Sequence, residues 1–168
     1  MVVIHVSGTS GSGKSWIGLL MKRIYPDSKL HVVDLDDIFR AAIQRHVEPD
    51  SEKKFLMIER DVKAAIDRLR GHRNLLITGY SDVVVDGKVR YIELGADVKY
   101  FIEIPTKHLI QQYRWRASQH VMHTRNEVHA YSDAELRRLV IKDRKIYSGF
   151  KIMPQAKIIQ AIILQIGK

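Results

Sequence analysis

The chain has 168 residues, 45% of them apolar, contains no cysteine and carries a formal charge of +9. That length predicts one domain with a sizeable core, and the missing cysteines exclude a disulfide framework and any thiolate metal site. No apolar run reaches the about 18 residues that a membrane helix needs, and the first strand begins at Val2, so a cytoplasmic protein with no membrane partner is expected.

Val2-Val3-Ile4-His5-Val6 reads as a buried first strand, and Ile17, Leu20, Met21 and Ile24 recur at helical spacing after it. His31-Val32-Val33 is a short second strand that closes on Asp34-Leu35-Asp36-Asp37, with a helix expected from Ile38 to about Arg45. Between Ser51 and Arg70, residues Phe55, Ile58, Val62, Ile66 and Leu69 mark one helical face, and Gly71 stands where a C-cap is expected. Leu75–Thr78 is a third strand, opening into Gly79-Tyr80-Ser81. Val98–Ile104 is a fourth, stopped by Pro105, with Thr106 as an N-cap for the next helix. Ser132-Asp133-Ala134-Glu135 has the capping-box pattern ahead of a helix carrying Leu136, Leu139 and Val140. A fifth strand, Phe150–Met153, leads through Pro154-Gln155-Ala156 into an apolar C-terminal helix. Strands alternating with helices predict an α/β fold: three α/β/α layers around a five-stranded parallel sheet, in one domain over residues 1–168.

Between the first strand and its helix stands Gly8-Thr9-Ser10-Gly11-Ser12-Gly13-Lys14-Ser15, a complete G-x-x-x-x-G-K-[ST] phosphate loop. Its glycines let backbone N–H groups turn inward around phosphate oxygens, and the helix N-terminus adds partial positive charge. Lys14 is placed to reach the β- and γ-phosphates, and the Ser15 hydroxyl to ligate Mg²⁺. A nucleoside triphosphate is therefore the expected ligand. The acids Asp34, Asp36 and Asp37 end the second strand, and in an open parallel sheet ligands sit beyond the carboxyl ends of the strands. Carboxylates there serve two ends in phosphoryl transfer: holding the magnesium shell and accepting the proton of an attacking hydroxyl. Their other use is to cap the following helix and favour its dipole.

With these motifs the chain resembles the nucleoside-monophosphate-kinase-like superfamily of P-loop kinases, which includes adenylate, shikimate, gluconate, nucleoside and polynucleotide 5′-hydroxyl kinases. The resemblance runs through Gly8–Ser15, Asp34-x-Asp36-Asp37, Leu76–Gly79, the arginines after the fourth strand and Pro154-Gln155-Ala156. It implies the P-loop NTPase fold, with Asp34 on the metal side with Ser15 and Asp36 as the base; an alternative alignment gives the base to Asp36 or Asp37. It implies a helical lid between strands four and five, over about 114–131, whose arginines close on the phosphates. Arg114, Arg116 and Arg125 fall there, with Arg114 and Arg116 the catalytic candidates, one of them structural. Pro154 and Gln155 match the position that wraps the adenine. The acceptor side is expected over helices 38–70 with Gly79 and Tyr80, and Asp37, Arg40, Arg45 and Arg60 as further contacts, Arg60 being equally readable as a surface helix charge. Tyr113 and Trp115 are read as packing residues, and His120, His123 and His129 as lid surface rather than a zinc site.

Two departures narrow the reading. The third strand lacks the terminal aspartate of Walker B motors and GTPases, and Gly79-Tyr80-Ser81-Asp82 replaces the D-G-F-P-R of adenylate kinases. The expectation is an ATP- and Mg²⁺-dependent phosphotransferase acting on a small acceptor, a nucleoside or nucleotide. Residues 107–151 hold ten Lys/Arg against four acids, two thirds of the net charge. That block keeps a nucleic-acid partner open, as in a polynucleotide 5′-hydroxyl kinase. The third alternative is a nucleotide-binding sensor or adaptor without transfer.

Overall fold

The computed structural model describes residues 1–46, 51–71, 73–85, 87–118 and 131–167, and only the backbone of residues 116–118. In chain order the elements are β1 (Val3–Gly8), α1 (Lys14–Ile24), β2 (Leu30–Asp34), α2 (Leu35–Arg45), α3 (Glu52–Leu69) and β3 (Asn74–Thr78). Next come a hairpin of β4 (Asp82–Val85) and β5 (Lys88–Tyr91), then β6 (Val98–Glu103), α4 (Thr106–Ser118), α5 (Asp133–Ile146), β7 (Lys151–Pro154) and α6 (Gln155–Ile166). Five strands form one parallel sheet in the order β2-β3-β1-β6-β7. The five-stranded α/β/α expectation is met.

The central strand β1 is buried at all six residues, because helices cover both faces. Ile4 and Val6 point into one layer with Ile17 and Met21 of α1 and Ile158 and Ile162 of α6. On the other face Val3 joins Leu35 and Phe39 of α2 and Ile58 and Val62 of α3. Each such fully buried aliphatic side chain contributes about 1.5–3 kcal/mol. A smaller cluster of Leu109, Ile110, Tyr113, Leu136 and Val140 holds α4 against α5.

Register places the site. In a parallel sheet every strand delivers its carboxyl end to the same edge. Gly8 pairs with Ile102, Asp34 with Thr78, and Glu103 with Pro154. The phosphate loop, the start of α2 and the turn after β3 therefore share one edge.

Local structure departs from the sequence reading at four points. The β4–β5 hairpin has no counterpart in it, and this hairpin adds Val85, with Ile92 and Leu94 just beyond it, to the α2–α3 core. Helix α2 begins at Leu35, not Ile38, because the Asp34 carboxylate accepts from the Asp36 N–H (3.0 Å) and caps it. The C-cap of α3 is Arg70 in extended backbone, so Gly71 does not take that place. Thr106 is the first residue of α4, whose first turn closes on the Pro105 carbonyl (Leu109 N–H, 3.2 Å).

Candidate active site

The loop between β1 and α1 has the backbone its sequence dictates. Gly13 sits at φ 92°, a left-handed conformation that a side chain would strain, and it opens α1 without any side-chain cap. The first turn of α1 carries no acid. Its N–H groups and dipole thus face the loop uncompensated by side chains, as an anion site requires. Ser12 Oγ is buried with no hydrogen-bond partner among the described residues. The residues present fit a bound polyphosphate.

Lys14 Nζ donates to the carbonyls of Gly8 (2.7 Å) and Thr9 (3.3 Å) and lies 4.3 Å from the centroid of the Tyr80 ring. Across the edge, the Ser15 hydroxyl donates to Asp34 Oδ2 at 3.3 Å. A hydroxyl and a carboxylate converging here form a hard oxygen pair of the kind Mg²⁺ takes, so the donor set fits that ion. Asp36 and Asp37 are both exposed in the first turn of α2. Asp37 pairs with Arg40 (3.6 Å) and lines a groove of about 240 Å³ between α2 and α3, where Arg45, Asp61 and Arg68 also stand. Arg45 and Arg60 are both spent on Asp61 (3.8 and 3.5 Å), which also holds His46 (3.1 Å).

The turn after β3 is held from beneath. Gly79 adopts φ 128°, and a Cβ there would stand 2.9 Å from Leu35 Cβ. Its carbonyl lies 3.0 Å from His5 Nε2; a carbonyl only accepts, so Nε2 carries the imidazole proton. Burial pushes the His5 pKa down to about 4, and the ring packs edge-on against Phe150 at 5.1 Å. Tyr80 OH donates to Asp143 Oδ2 (3.3 Å). Tyr147 OH accepts from the Ser81 N–H (2.8 Å) and donates to Asp82 Oδ1 (2.6 Å), and burial beside that carboxylate drives its pKa upward. Asp143 of α5 and Tyr147 just past its end therefore position Tyr80–Asp82, and Tyr80 in turn reaches Lys14.

No protein-family model matches the chain, and no curated protein matches it in sequence. Solved structures do match. Shikimate kinase from Bacteroides thetaiotaomicron aligns with a TM-score of 0.63 at 14% identity, over 99% of each chain. Deoxyadenosine kinase from M. mycoides gives 0.50 at 13%, over 98% of each. A chain of the Pnkp1/Rnl/Hen1 RNA repair complex gives 0.54 at 18%, over 89% of this chain and 46% of that one. The chain shares the fold of these solved structures, a five-stranded parallel sheet with helices on both sides.

On this fold the remaining candidates separate. Gln155 Nε2 donates to the Gly13 carbonyl at 3.4 Å, bringing the Pro154-Gln155 turn onto the phosphate loop. A cavity of about 420 Å³ opens there, bounded by Gly11, Gly13, Trp16, Gln112, Trp115 and Gln155. Trp16 and Trp115 are 51% and 62% exposed. Trp115 is therefore a cavity wall and not the packing residue expected. Tyr113 is buried as expected, and its hydroxyl donates to the Ser10 carbonyl at 2.6 Å, tying α4 to the loop. Arg114 binds the Tyr131 carbonyl (2.9 Å) and Asp133 (2.8 Å), which spends it on the α4–α5 contact. The side chain of Arg116 and residues 119–130 of the lid expected over about 114–131, with Arg125, His120, His123 and His129, lie outside the described residues.

The sequence reading missed Asp143, Tyr147 and Tyr113 as loop-positioning groups. A signal existed for the first two. Leu136, Val140, Asp143 and Tyr147 fall at i, i+4, i+7 and i+11, so an acid interrupts an apolar helical stripe. Such an acid needs a partner inside.

Proposed function

We propose that the chain is an ATP- and Mg²⁺-dependent phosphotransferase acting on an acceptor hydroxyl of a small molecule, a nucleoside or nucleotide. The observation that carries the reading is the joint position of Lys14, the Ser15–Asp34 pair and the capping turn with Asp36 on one edge of a kinase-type sheet. The loop amides from Gly8 to Ser15 hold the triphosphate, and the adenine enters the cavity walled by Trp16, Trp115 and Gln155 beside Pro154. Ser15 and Asp34 would hold Mg²⁺, which supplies charge neutralisation at the terminal phosphates.

Lys14 contributes the fixed cation against the β- and γ-oxygens. Asp36 accepts the acceptor hydroxyl's proton as its oxygen bonds to the terminal phosphorus and the bridging bond breaks, leaving ADP. Asp36 is the acid that both alignments of the resemblance allow, which favours it for that role; Asp37 pairs with Arg40 and lines the α2–α3 groove. Gly79, Tyr80 and Arg40 border the acceptor side. Since Arg114 is committed to Asp133, Arg116 is the lid arginine assigned to the transferring phosphate.

The test is γ-labelled ATP offered with nucleosides, nucleoside monophosphates, small polyols and a 5′-hydroxyl oligonucleotide. Label on a small acceptor supports the reading. Label confined to the oligonucleotide moves the substrate to the polynucleotide class. ATP bound with no acceptor labelled leaves the sensor reading in its place.

A further inference from the structure

Helix α5 has a second face. Its inward side carries Leu136, Val140 and Asp143. Its outward side carries Arg137, Arg138, Ile141, Lys142 and Lys145, all exposed. At about 100° per residue these five lie within an arc of about 140°, over about 12 Å of helix. Four cations thus surround one apolar residue, Ile141, which is 67% exposed.

No salt bridge among the described residues takes up their charge. Arg137, Arg138, Lys142 and Lys145 form no ion pair among the described residues, and the charge of Arg138 acts on Glu135. The flanking groups are already matched: Asp133 to Arg114, Glu103 to Arg144, and Glu135 to the Ser132 cap. Asp143 faces inward to Tyr80. The helix dipole accounts for Lys145 in the last turn, but Arg137 and Arg138 stand in the second turn, where it offers a cation nothing.

We infer that the exposed face of α5 is a docking surface for a single-stranded nucleic acid, whose phosphodiester groups pair with Arg137, Arg138, Lys142 and Lys145. The spacing suits a polyanion with repeated charges better than one small anion, because the cations spread along the helix instead of converging. An anionic membrane is the poorer fit, since an interfacial helix buries a broad apolar face and this one offers Ile141 alone. The surface stands apart from phosphoryl transfer and does not depend on it. Should the acceptor prove to be a strand terminus, the same helix that holds Tyr80 through Asp143 would also hold the strand.

The test uses the full chain without nucleotide and fluorescence anisotropy of a labelled oligouridine of about twelve nucleotides across a salt series. Wild type is compared with Arg137→Ala/Lys142→Ala/Lys145→Ala and with Lys22→Ala/Arg23→Ala, which removes exposed cations from α1. Both variants must melt as wild type does. The inference predicts at least about a tenfold loss for the α5 variant, with the log–log salt slope about 2 units shallower, and less than about a twofold loss for the α1 variant. Equal losses in both variants, or no binding by wild type at low salt, would overturn it. Binding to phosphatidylserine vesicles but not to the oligonucleotide would overturn it in favour of a membrane. Because no ATP is present, these outcomes are independent of whether the chain transfers phosphate.

Discussion

Lys14 Nζ rests 4.3 Å above the ring of Tyr80, and the hydroxyl of that tyrosine is tied to Asp143 on α5. The phosphate-loop lysine is thus held on one side by the Gly8 and Thr9 carbonyls and on the other by an aromatic face. A cation over a partly desolvated ring gains about 0.5–2 kcal/mol.

Removing the ring should therefore matter more than removing the hydroxyl. Tyr80→Leu is expected to lower kcat/KM for phosphoryl transfer by about tenfold, and Tyr80→Phe by less than about threefold. Steady-state kinetics of the two variants check this. Equal effects would assign the tyrosine's value to the Asp143 bond instead.

His5 makes stability depend on pH. Its folded pKa of about 4 lies below the ordinary 6.5, so between these values the unfolded chain binds the proton that the folded chain refuses. Stability contributed by neutral His5 is complete above about pH 6.5 and is lost as pH falls towards 4, by up to about 3 kcal/mol. His5→Leu should flatten that part of a pH series of urea melts, whatever it does to stability at neutral pH.

Gly79→Ala should destabilise the chain by about 1–3 kcal/mol, lowering Tm by several degrees. The cause is the positive φ together with the close approach of Leu35. Differential scanning calorimetry measures it.

The two arginines of α4 should separate. Arg114→Ala removes an exposed ion pair with Asp133 and is expected to cost less than about 1 kcal/mol, with transfer within a few-fold of wild type. Arg116→Ala should reduce kcat by at least about a hundredfold, the scale of a lost phosphate-clamping arginine. Parallel kinetics and melts distinguish the pair.

What the sequence made legible was local. The phosphate loop is one contiguous run whose backbone needs are written in its own glycines, and the strands read as apolar runs because both faces are covered. The β4–β5 hairpin was also written locally, as Val83-Val84-Val85, Asp86-Gly87 and Lys88-Val89-Arg90-Tyr91, a two-residue turn signal between alternating strands. It went unread because the α/β alternation offered no place for it. Arg114 was not legible, since its carboxylate partner lies 19 residues away on another helix. The loop-positioning role of Asp143 likewise exists only once α5 packs beneath Tyr80, 63 residues earlier in the chain. Trp115 could be placed at the cavity only when α4 had a register against Gly13 and Gln155.

The most direct measurement is on Asp36→Asn, with ATP affinity by calorimetry and γ-phosphate transfer to the best acceptor measured on the same preparation. The account predicts unchanged ATP binding within about twofold and transfer reduced by about 10²–10⁴-fold, the loss of a general base. Transfer near the wild-type rate in Asp36→Asn would contradict it, and would give the proton to another group.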